Sequence, residues 1–358
     1  MRERLQQNWR EVASGERRGI AAGVVRGALW AACLPYGAAA WWRNRGYDRG
    51  RYAVTRVDVP VICVGNLTVG GVGKTPMVKW VARRLRSWDV RVAILSRGYG
   101  AEAGARNDEG LELELDLPDV PHLQHPDRAA AAEVAIEELG MEALVLDDGF
   151  QHRRLARDLD VVLLDATSPF GFGHCLPRGA LRESPRGLRR AGAVVLTRAD
   201  MLAAERRAVV QREAARLAPQ AAWAEAVHRP TCLVDAAGAA SDLCGLRGAR
   251  VAAFCGVGNP AGFRHTLEHL GAELATFRPL PDHHNYTRDD VDALAEAARS
   301  ARAELVVCTR KDLVKLQAQR LGDLPLRAVA VEIGFLAGEA ELAERLAGAV
   351  GRSAADRG

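Results

Sequence analysis

The chain has 358 residues, of which 48% are hydrophobic and 26% are charged, which is ordinary for a folded soluble protein. This composition excludes a disordered chain, a collagen-like repeat and a polytopic membrane protein. Lys and Arg total 49 and Asp and Glu total 45, so the net charge is only +4 and gives no support for nucleic-acid binding. The seven cysteines include no CxxC pair, so we expect buried free thiols rather than a zinc site or a disulfide framework. At about 150 residues per domain, the length predicts about two domains.

The N-terminal fifty residues predict a membrane-associated helix. The first eighteen residues carry too many charges for an export signal. Residues 19–42 are nearly all apolar and long enough to span a bilayer, but Arg26 would cost roughly 2.5–3.5 kcal/mol near the centre of a span. Trp41 and Trp42 precede several arginines, a pattern typical of a membrane–water boundary. We expect a helix that lies on or dips into the cytoplasmic leaflet, with a buried core helix or a single span as alternatives.

A strand, a glycine-rich loop and a helix follow in the order that a phosphate-binding P-loop requires. Residues 57–64 read as a buried strand, residues 65–76 are GNLTVGGVGKTP, and an apolar helix follows at about residues 77–85. The backbone N–H groups of such a loop surround phosphate oxygens, while its lysine adds a cation and its threonine hydroxyl can bind Mg²⁺. The strict pattern has glycine where Thr68 stands, and a structural glycine-rich turn is the alternative. The expected nucleotide-binding residues are Thr68, Val69, Gly70, Gly71, Val72, Gly73, Lys74 and Thr75.

Two acidic residues at the end of another apolar run are candidates for a metal site. Residues 144–146 predict a short strand that ends in Asp147 and Asp148. A carboxylate in this position, in a chain that also carries a P-loop, fits a Walker B acid that holds Mg²⁺. Adjacent acids in a solvated turn are the alternative.

Further apolar runs at residues 160–165 and 193–196 predict parallel strands that are buried on both faces. The second run ends in TRAD at residues 197–200, which is similar to the base-contacting turn of P-loop GTPases with Arg in place of Lys. The run at 305–308 ends in TRKD at 309–312 in the same way. A plain polar turn after a strand explains both motifs equally well.

A second α/β unit begins near residue 230. Residues 250–255 predict a strand, GVGNP at 256–260 a turn, and residues 261–270 a helix. The sequence PDHHNYT at 281–287 precedes another predicted helix at 289–301. Its acid and histidines make a candidate catalytic loop, with a helix cap and surface histidines as the alternative.

Taken in order, these motifs resemble the tetraacyldisaccharide 4′-kinases of lipid A biosynthesis. The resemblance runs from the N-terminal apolar helix to about Phe335, and it includes GNLTVGGVGKTP at 65–76, LSRGYG at 95–100, DDGFQHRRLARD at 147–158, PFGFGHCLPRGALRESP at 169–185, PDHHNYT at 281–287 and TRKDLVKL at 309–316. It implies transfer of the γ-phosphate of ATP to the 4′-hydroxyl of a tetraacyldisaccharide 1-phosphate, which forms lipid IVA, with Mg²⁺ as cofactor. It also implies that the N-terminal helix docks on the cytoplasmic face of the bacterial inner membrane, where the lipid disaccharide lies.

The resemblance further implies roles for individual residues. Asp108, in the segment NDEG at 107–110, matches the family's base and would act with His283, the first histidine of PDHH. A hydrogen-bonded Asp–His pair can orient and deprotonate a sugar hydroxyl. Arg128 would contact phosphate, and Glu183 would assist the metal or its water shell. The implied catalytic residues are therefore Asp108, His283, Lys74 and Arg128, and the implied metal-site residues are Thr75, Asp147, Asp148 and Glu183.

The chain departs from the family pattern in three segments. NDEG stands for the family's GDEP, Phe172 or Gly173 stands for the Asn of PFGNG, and Arg178 stands where a small residue is usual. A fourth conflict concerns local structure. Leucines alternate with acids at residues 111–117, which is typical of a strand, whereas the resemblance implies a helix after Asp108. We expect the helix.

The predicted fold class is therefore α/β, with a P-loop NTPase-like parallel-sheet domain, a second and smaller α/β domain, and an N-terminal membrane-associated helix. The predicted boundaries are 1–50 for the helix, 51–229 for the P-loop kinase domain, 230–345 for the second domain and 346–358 for a tail. An ATP-dependent lipid kinase is the first functional hypothesis. A membrane-docked P-loop switch that binds GTP is the alternative, and a family member that binds lipid without catalysis is a third.

Overall fold

The computed structural model describes residue 9 and residues 11–98 and 108–352, with Asp108 and Glu109 described by their backbone alone. In these residues the helices are α1 Ile20–Asp48, α2 Lys74–Ser87, α3 Asp108–Asp116, α4 Arg128–Glu137, α5 Ala204–Leu217, α6 Pro260–His269, α7 Arg288–Ser300, α8 Arg310–Leu316 and α9 Glu339–Ala349. The strands are β1 Val61–Asn66, β2 Val92–Ser96, β3 His122–Gln124, β4 Ala143–Asp147, β5 Leu159–Asp165, β6 Ala193–Thr197, β7 Ala222–Val234, β8 Ala240–Ser241, β9 Arg250–Cys255, β10 Glu273–Pro279, β11 Leu305–Thr309, β12 Arg320–Leu321 and β13 Leu324–Ala337.

The described chain divides into two compact units. The first contains the described residues up to 98, residues 117–227 and residues 334–352, and the second contains residues 108–116 and 228–333. The predicted boundary at 229/230 lies close to the passage at 227/228. The first unit also contains α1, which was predicted as a separate segment at 1–50, and two further segments differ from the predicted boundaries. Residues 334–352 return to the first unit because they pack on α2, where Phe335 stacks edge-on against Trp80 at 5.0 Å and Glu339 pairs with Arg84 at 2.8 Å. Residues 108–116 belong to the second unit.

The first unit is built on a parallel sheet with the strand order β7-β6-β5-β1-β4-β2-β3. The strands β1, β4, β5 and β6 are buried along their whole length, as the apolar runs predicted. Helices on the sheet faces enclose the strands, as is usual for parallel sheets. The predicted α/β fold class is therefore confirmed.

The ends of β1 and α2 differ from the predicted ends by a few residues. The predicted strand at 57–64 is replaced by β1 at Val61–Asn66, which begins directly after Pro60. Proline has no backbone N–H to donate to a ladder, so it marks the start of the strand. At the other end of the loop α2 begins at Lys74, three residues earlier than predicted.

The second unit contains its own parallel strands in the order β10-β9-β11-β13, and β12 pairs antiparallel with β13. Alternate residues of β9 pack on opposite faces. Val251 packs with Leu267 in one apolar cluster, whereas Phe254 packs with Leu294 in another. The predicted strand at 250–255 matches β9, and the two predicted helices match α6 and α7 to within one residue at each end.

The segment with alternating leucines and acids is helical, as the family resemblance implied. Leu113 is buried, whereas Leu115 is 60% exposed. A strand would have placed both side chains on one face. The helix α3 packs against α8 in the second unit, where Asp116 pairs with Arg310 at 2.6 Å. Tertiary packing therefore outweighs the local alternation.

The helix α1 carries most of its large apolar side chains on its surface. Ile20, Val24, Trp30, Leu34, Trp41 and Trp42 are all exposed. By length and composition α1 is apolar enough to cross a membrane, and it is the one such helix in the part of the chain that the structure describes. An exposed apolar patch of this kind marks a surface that meets a membrane or a partner. The buried core helix that the sequence left open does not fit this exposure.

All seven cysteines are free thiols. Cys33, Cys63, Cys255 and Cys308 are buried, whereas Cys244 is exposed. Burial raises the pKa of the Cys63 and Cys308 thiols well above the ordinary value, which makes them inert at neutral pH.

Candidate active site

The carboxyl ends of four neighbouring strands bring the predicted nucleotide-binding residues together. These strands lie side by side in the order β6-β5-β1-β4 and end at Thr197, Asp165, Asn66 and Asp147. Because they are parallel, all four end at the same edge of the sheet. Open α/β sheets bind their ligands at this edge. The P-loop, which follows β1, therefore lies among residues that come much later in the chain.

The P-loop uses glycine where its backbone requires it. Gly70 and Gly73 have φ angles of 110° and 87°, a region that strains any residue with a side chain. Thr68, which replaces the first glycine of the strict pattern, is buried and does not have a positive φ. Its carbonyl accepts a hydrogen bond from the Asn66 side chain at 2.6 Å. This loop therefore has no conformational need for glycine at residue 68.

Lys74 and Asp148 form the charged centre of the site. Lys74 Nζ lies 3.6 Å from Asp148 Oδ1, and Arg182 donates to both oxygens of the same carboxylate at 2.8 and 2.9 Å. Burial by itself would raise the pKa of Asp148. The charges of Lys74 and Arg182 outweigh that effect and hold the pKa below its usual value, so Asp148 is ionised at neutral pH.

Asp147 and Thr75 carry oxygen atoms of the kind that bind the magnesium ion of a nucleotide. Asp147 is the buried last residue of β4, and it is in register with Val64 of β1, just before the P-loop. Thr75 is buried in the first turn of α2. Mg²⁺ prefers carboxylate and hydroxyl oxygens and is usually held by one or two protein ligands together with phosphates. These two residues fit that requirement.

Arg128 is held near the paired aspartates at the start of α4. Asp127 caps this helix by accepting a hydrogen bond from the Ala129 N–H at 3.0 Å. Arg128 is buried, and burial together with the charge of Arg97 lowers its pKa, while Asp148 and Asp147 act in the opposite direction. Burial and the charge of Arg128 also lower the pKa of His152 to about 4. A buried guanidinium facing two carboxylates is suited to a phosphate group.

Glu183 is saturated by protein donors, which does not support its predicted part in the metal shell. Arg190 donates to its two oxygens at 3.0 and 2.8 Å, and the side chains of Asn44 and Gln151 donate at 2.6 and 3.0 Å. Glu183 is also buried. Across the described residues, no three Asp, Glu, His or Cys side chains form a group suited to a metal ion. These hydrogen bonds join Glu183 to three other side chains, and its predicted part in the metal shell stays a prediction.

The carboxyl half of α1 is joined to the motifs around Asp148. Asn44 of α1 donates to Glu183, and the Tyr36 hydroxyl donates to the carbonyl of Arg182 at 3.2 Å. Further along, Asp48 pairs with Arg153 at 2.9 Å and also with Arg189. The helix α1, which is predicted to meet the membrane, therefore also contacts Arg182 and Glu183, and Arg182 pairs with Asp148.

The departures from the family pattern at Phe172 and Arg178 face the N-terminal segment. The Phe172 ring meets Trp9 edge-on at 6.4 Å, and Arg178 donates to the carbonyl of Ala13 at 2.8 Å. Trp9 in turn donates to the carbonyl of Pro177 at 2.7 Å. These two residues thus contact Trp9 and Ala13 from the loop that precedes Arg182.

The TRAD turn contacts the P-loop. Thr197 Oγ1 donates to the carbonyl of Val72 at 2.8 Å, and Arg198 donates to the carbonyl of Gly71 at 2.8 Å. Arg198 also pairs with Asp165 at 2.5 Å. The first two side chains of the motif therefore contact the P-loop.

His283 lies on a loop of the second unit. Its φ angle is 60°, and its backbone N–H donates to the carbonyl of Gly256 at 3.3 Å, which ties PDHHNYT to GVGNP. The ring is partly exposed, and its Nε2 lies 3.9 Å from Asp282. The next residue, His284, bonds instead to Asp290 at 3.0 Å, which also forms the capping box of α7. The capping interpretation of this loop therefore applies to His284, and the catalytic role of His283 stays a prediction.

Asp312 joins three motifs of the second unit. Its buried carboxylate accepts hydrogen bonds from the Gly256 N–H at 3.0 Å, the Tyr286 hydroxyl at 2.7 Å and the Thr309 hydroxyl at 2.6 Å. Burial raises the pKa of Tyr286 well above its usual value, and the charge of Asp312 adds to this, so Tyr286 keeps its proton. Lys315 donates to the carbonyl of His284 at 3.2 Å. The TRKD motif thus supports the loop that carries His283.

Asp108 is the first residue of α3, but its side chain lies outside the described residues. The end of LSRGYG and the segment up to Asn107 lie outside them as well. The predicted base therefore stays a prediction.

The fold and this site define a nucleotide-binding α/β protein of the P-loop class. Residues 25–351 match the family described as tetraacyldisaccharide-1-P 4′-kinase, and the chain belongs to this family. It is 48% identical to the tetraacyldisaccharide 4′-kinase of Anaeromyxobacter dehalogenans (strain 2CP-C) over 352 residues, which cover 93% of each chain. It is 40% identical to that of Syntrophus aciditrophicus (strain SB), with 81% of this chain and 84% of the relative covered.

A solved structure also matches the fold. The crystal structure of "apo" form LpxK from Aquifex aeolicus in complex with ATP is 30% identical to this chain and has a TM-score of 0.70. The match covers 91% of this chain and 99% of the other. The family resemblance that the motifs indicated is therefore confirmed.

Four residues of the site were not among the predicted ones, although Gln151 and Arg182 lie in the motifs DDGFQHRRLARD and PFGFGHCLPRGALRESP that carry the family resemblance. Asn44, Gln151 and Arg190 all bond to Glu183, and Arg182 pairs with Asp148. Asn44 and Arg190 lie outside these motifs and had no such signal.

Proposed function

We propose that this protein transfers the γ-phosphate of ATP to the 4′-hydroxyl of a tetraacyldisaccharide 1-phosphate. The observation that carries the proposal is the P-loop with Lys74 and the two carboxylates Asp147 and Asp148 at one edge of a parallel sheet. The chain's relatives carry the name of this activity, and one of them was solved with ATP. The product would be lipid IVA.

The first unit would bind the nucleotide through its phosphates. The N–H groups of the loop and the first turn of α2 would donate to phosphate oxygens, and Lys74 would neutralise charge at the β/γ-phosphates. Asp148 holds the Lys74 ammonium by charge, and Arg182 holds Asp148 from its other side. Mg²⁺, bound by Thr75 and Asp147, would supply further charge neutralisation at the phosphate oxygens. Arg128 would contribute a second positive charge.

The second unit would activate the sugar hydroxyl. We assign Asp108 as the base that takes the hydroxyl proton and His283 as its partner. The 4′-oxygen then forms a bond to the γ-phosphorus while the bond from that phosphorus to the bridging oxygen breaks, and ADP leaves. A positioned base of this kind contributes typically 10²–10⁴-fold to the rate.

The helix α1 would place the enzyme on the membrane that contains its lipid substrate. Its exposed apolar residues, together with the tryptophans and the arginines that follow them, suit a helix lying in the lipid–water boundary. We assign it to the cytoplasmic face of the inner membrane, because ATP is available on that side.

The test is transfer of labelled γ-phosphate from ATP to a tetraacyldisaccharide 1-phosphate in detergent micelles. Wild type would be compared with Lys74→Ala, Asp108→Ala and the surface control Arg212→Ala. We expect transfer by wild type and by the control, loss of ATP binding with Lys74→Ala, and a rate lowered about 10²–10⁴-fold with ATP binding retained for Asp108→Ala.

The same preparation separates the competing functions. Binding of ATP without transfer by folded wild type would favour a lipid-binding member without catalysis. A clear preference for GTP over ATP would favour the switch hypothesis. Normal transfer by Lys74→Ala would refute the role of the P-loop.

A further inference from the structure

The turn after β6 contacts two successive carbonyls of the phosphate-binding loop. Arg198 donates to the Gly71 carbonyl and Thr197 donates to the Val72 carbonyl, both at 2.8 Å. Thr197 and the loop are 125 residues apart in the chain. Both donors are buried, so water does not compete for these hydrogen bonds.

Arg198 is held in this position at a cost. It is a non-glycine residue with a φ of 55°, and the whole residue is only 8% exposed. A left-handed backbone costs roughly 1–2 kcal/mol at such a residue. Its charge is compensated by Asp165, the last residue of β5, at 2.5 Å. Because buried ion pairs seldom add net stability, this one requires another explanation.

The contacts fix the orientation of the peptide groups in the loop. A trans peptide is planar, so its C=O and N–H point in opposite directions. Anchoring the carbonyl of Val72 therefore sets the direction of the Gly73 N–H. Anchoring the carbonyl of Gly71 sets the direction of the Val72 N–H, which donates to the Gly70 carbonyl at 3.1 Å and closes the loop on itself. The carbonyls of an anion-binding loop must point away from the anion, because they carry partial negative charge. Thr197 and Arg198 hold two of them on the side of the buried turn.

We infer that Thr197 and Arg198, supported by Asp165, are positioning residues that hold the loop in its phosphate-binding form. This inference rests on the proposed function, since it assigns the loop to the phosphates of ATP. Neither residue needs to touch the nucleotide. Loss of either contact should therefore weaken binding of ADP and ATP while the affinity for the lipid substrate stays unchanged.

The test uses Thr197→Val, which keeps the shape of the side chain and removes its hydroxyl donor. Arg198→Lys keeps the positive charge beside Asp165. Its ammonium group lacks the planar set of N–H donors with which the guanidinium binds Asp165 and the Gly71 carbonyl at the same time. Dissociation constants for ADP and ATP, KM values for ATP and lipid, and thermal unfolding without nucleotide would be measured for both variants. Arg212→Lys, on the exposed face of α5, is the matched control.

We expect ADP and ATP to bind about 3- to 10-fold more weakly to Thr197→Val, the effect of losing one hydrogen bond, and at least as weakly to Arg198→Lys. The KM for lipid should stay near wild type, and the unfolding temperature of Thr197→Val should fall by only a few degrees, because a single hydrogen bond is lost. Wild-type nucleotide affinity in both variants would refute the inference. So would equal weakening of nucleotide and lipid together with a large loss of thermal stability, which a purely structural role predicts.

Lys74→Ala, measured beside them, separates this inference from the proposed function. If Lys74→Ala loses ATP binding while both turn variants keep it, the positioning role is wrong and the P-loop assignment stands. If Lys74→Ala binds ATP normally, the P-loop assignment itself fails and the inference fails with it.

Discussion

Replacement of Asp312 should loosen the loop that carries His283. The Asp312 carboxylate accepts three hydrogen bonds in a fully buried position, from Gly256, Tyr286 and Thr309. In Asp312→Ala all three donors lose their acceptor. Each unsatisfied buried donor costs about 1–3 kcal/mol, and water entering the space left by the side chain would recover part of the sum. We expect a loss of about 3–5 kcal/mol in the free energy of unfolding of the second unit.

Milder variants make this prediction quantitative. Asp312→Asn keeps one carbonyl oxygen for Gly256 and Tyr286, and the Thr309 hydroxyl can turn to accept from the new amide, so we expect a loss of only about 1–2 kcal/mol. Tyr286→Phe removes one donor but keeps the ring packing with Phe254, and should cost a similar amount. The double variant Asp312→Asn/Tyr286→Phe should lose less free energy of unfolding than the two single variants lose together, because the two residues are in direct contact.

Urea unfolding followed by circular dichroism gives the free energies, and amide hydrogen exchange shows where the protection is lost. We expect faster exchange at Gly256 and across residues 281–287, with exchange in β1 and β4 unchanged. The phosphotransfer kcat should fall while the KM for ATP stays at its wild-type value. Asp323→Ala, at an exposed acid of the same unit, is the control. A loss below 1 kcal/mol for Asp312→Ala, or unchanged exchange in the loop, would show that this network does not hold the loop.

Three further predictions concern the first unit. The folded protein lowers the pKa of His152 to about 4, so the unfolded chain takes up a proton on this histidine first as the pH falls. The free energy of unfolding should therefore decrease as the pH drops from about 6.5 to about 4. Urea unfolding at a series of pH values should show this slope in wild type and a flatter slope in His152→Gln. Glu183→Gln leaves the Arg190 charge buried without its partner and should cost about 3 kcal/mol or more, whereas the same change at the exposed Glu205 should cost nothing measurable by urea unfolding. Leu34→Ser on α1 should weaken binding to phosphatidylglycerol/phosphatidylethanolamine vesicles, measured by co-sedimentation, roughly 3- to 10-fold. The control is Leu336→Ser, because Leu336 is equally exposed but lies on β13. Equal effects of the two variants would exclude α1 as the membrane contact.

Local patterns in the sequence were sufficient for the strands, the P-loop and the family. Apolar runs such as residues 143–147 and 250–255 form buried strands, and a strand followed by GNLTVGGVGKTP and an amphipathic helix is the order that a phosphate loop requires. Asp147 follows the same logic, since a carboxylate after a buried strand must lie at the ligand-binding edge. In each case the residues that carry the signal are neighbours in the chain.

The alternation of leucines and acids at residues 111–117 misleads for the same reason. Period two describes a strand only if one face of that strand is buried, and here burial is decided by packing on α8 and by the Asp116–Arg310 pair. Similarly, the TRAD turn resembles a base-contacting motif, yet its Thr197 and Arg198 side chains turn toward the P-loop.

The sequence alone therefore determined the elements, the nucleotide loop and the family, because these depend on periodicity and spacing within short segments. The tertiary structure decided what Glu183, Arg198 and Asp312 do. Their partners lie far from them in the chain, as with Asn44 and Glu183 at a separation of 139 residues, and no local pattern records such a pairing. Only the folded sheet, which ends its parallel strands at one edge, brings these side chains within hydrogen-bonding distance of one another.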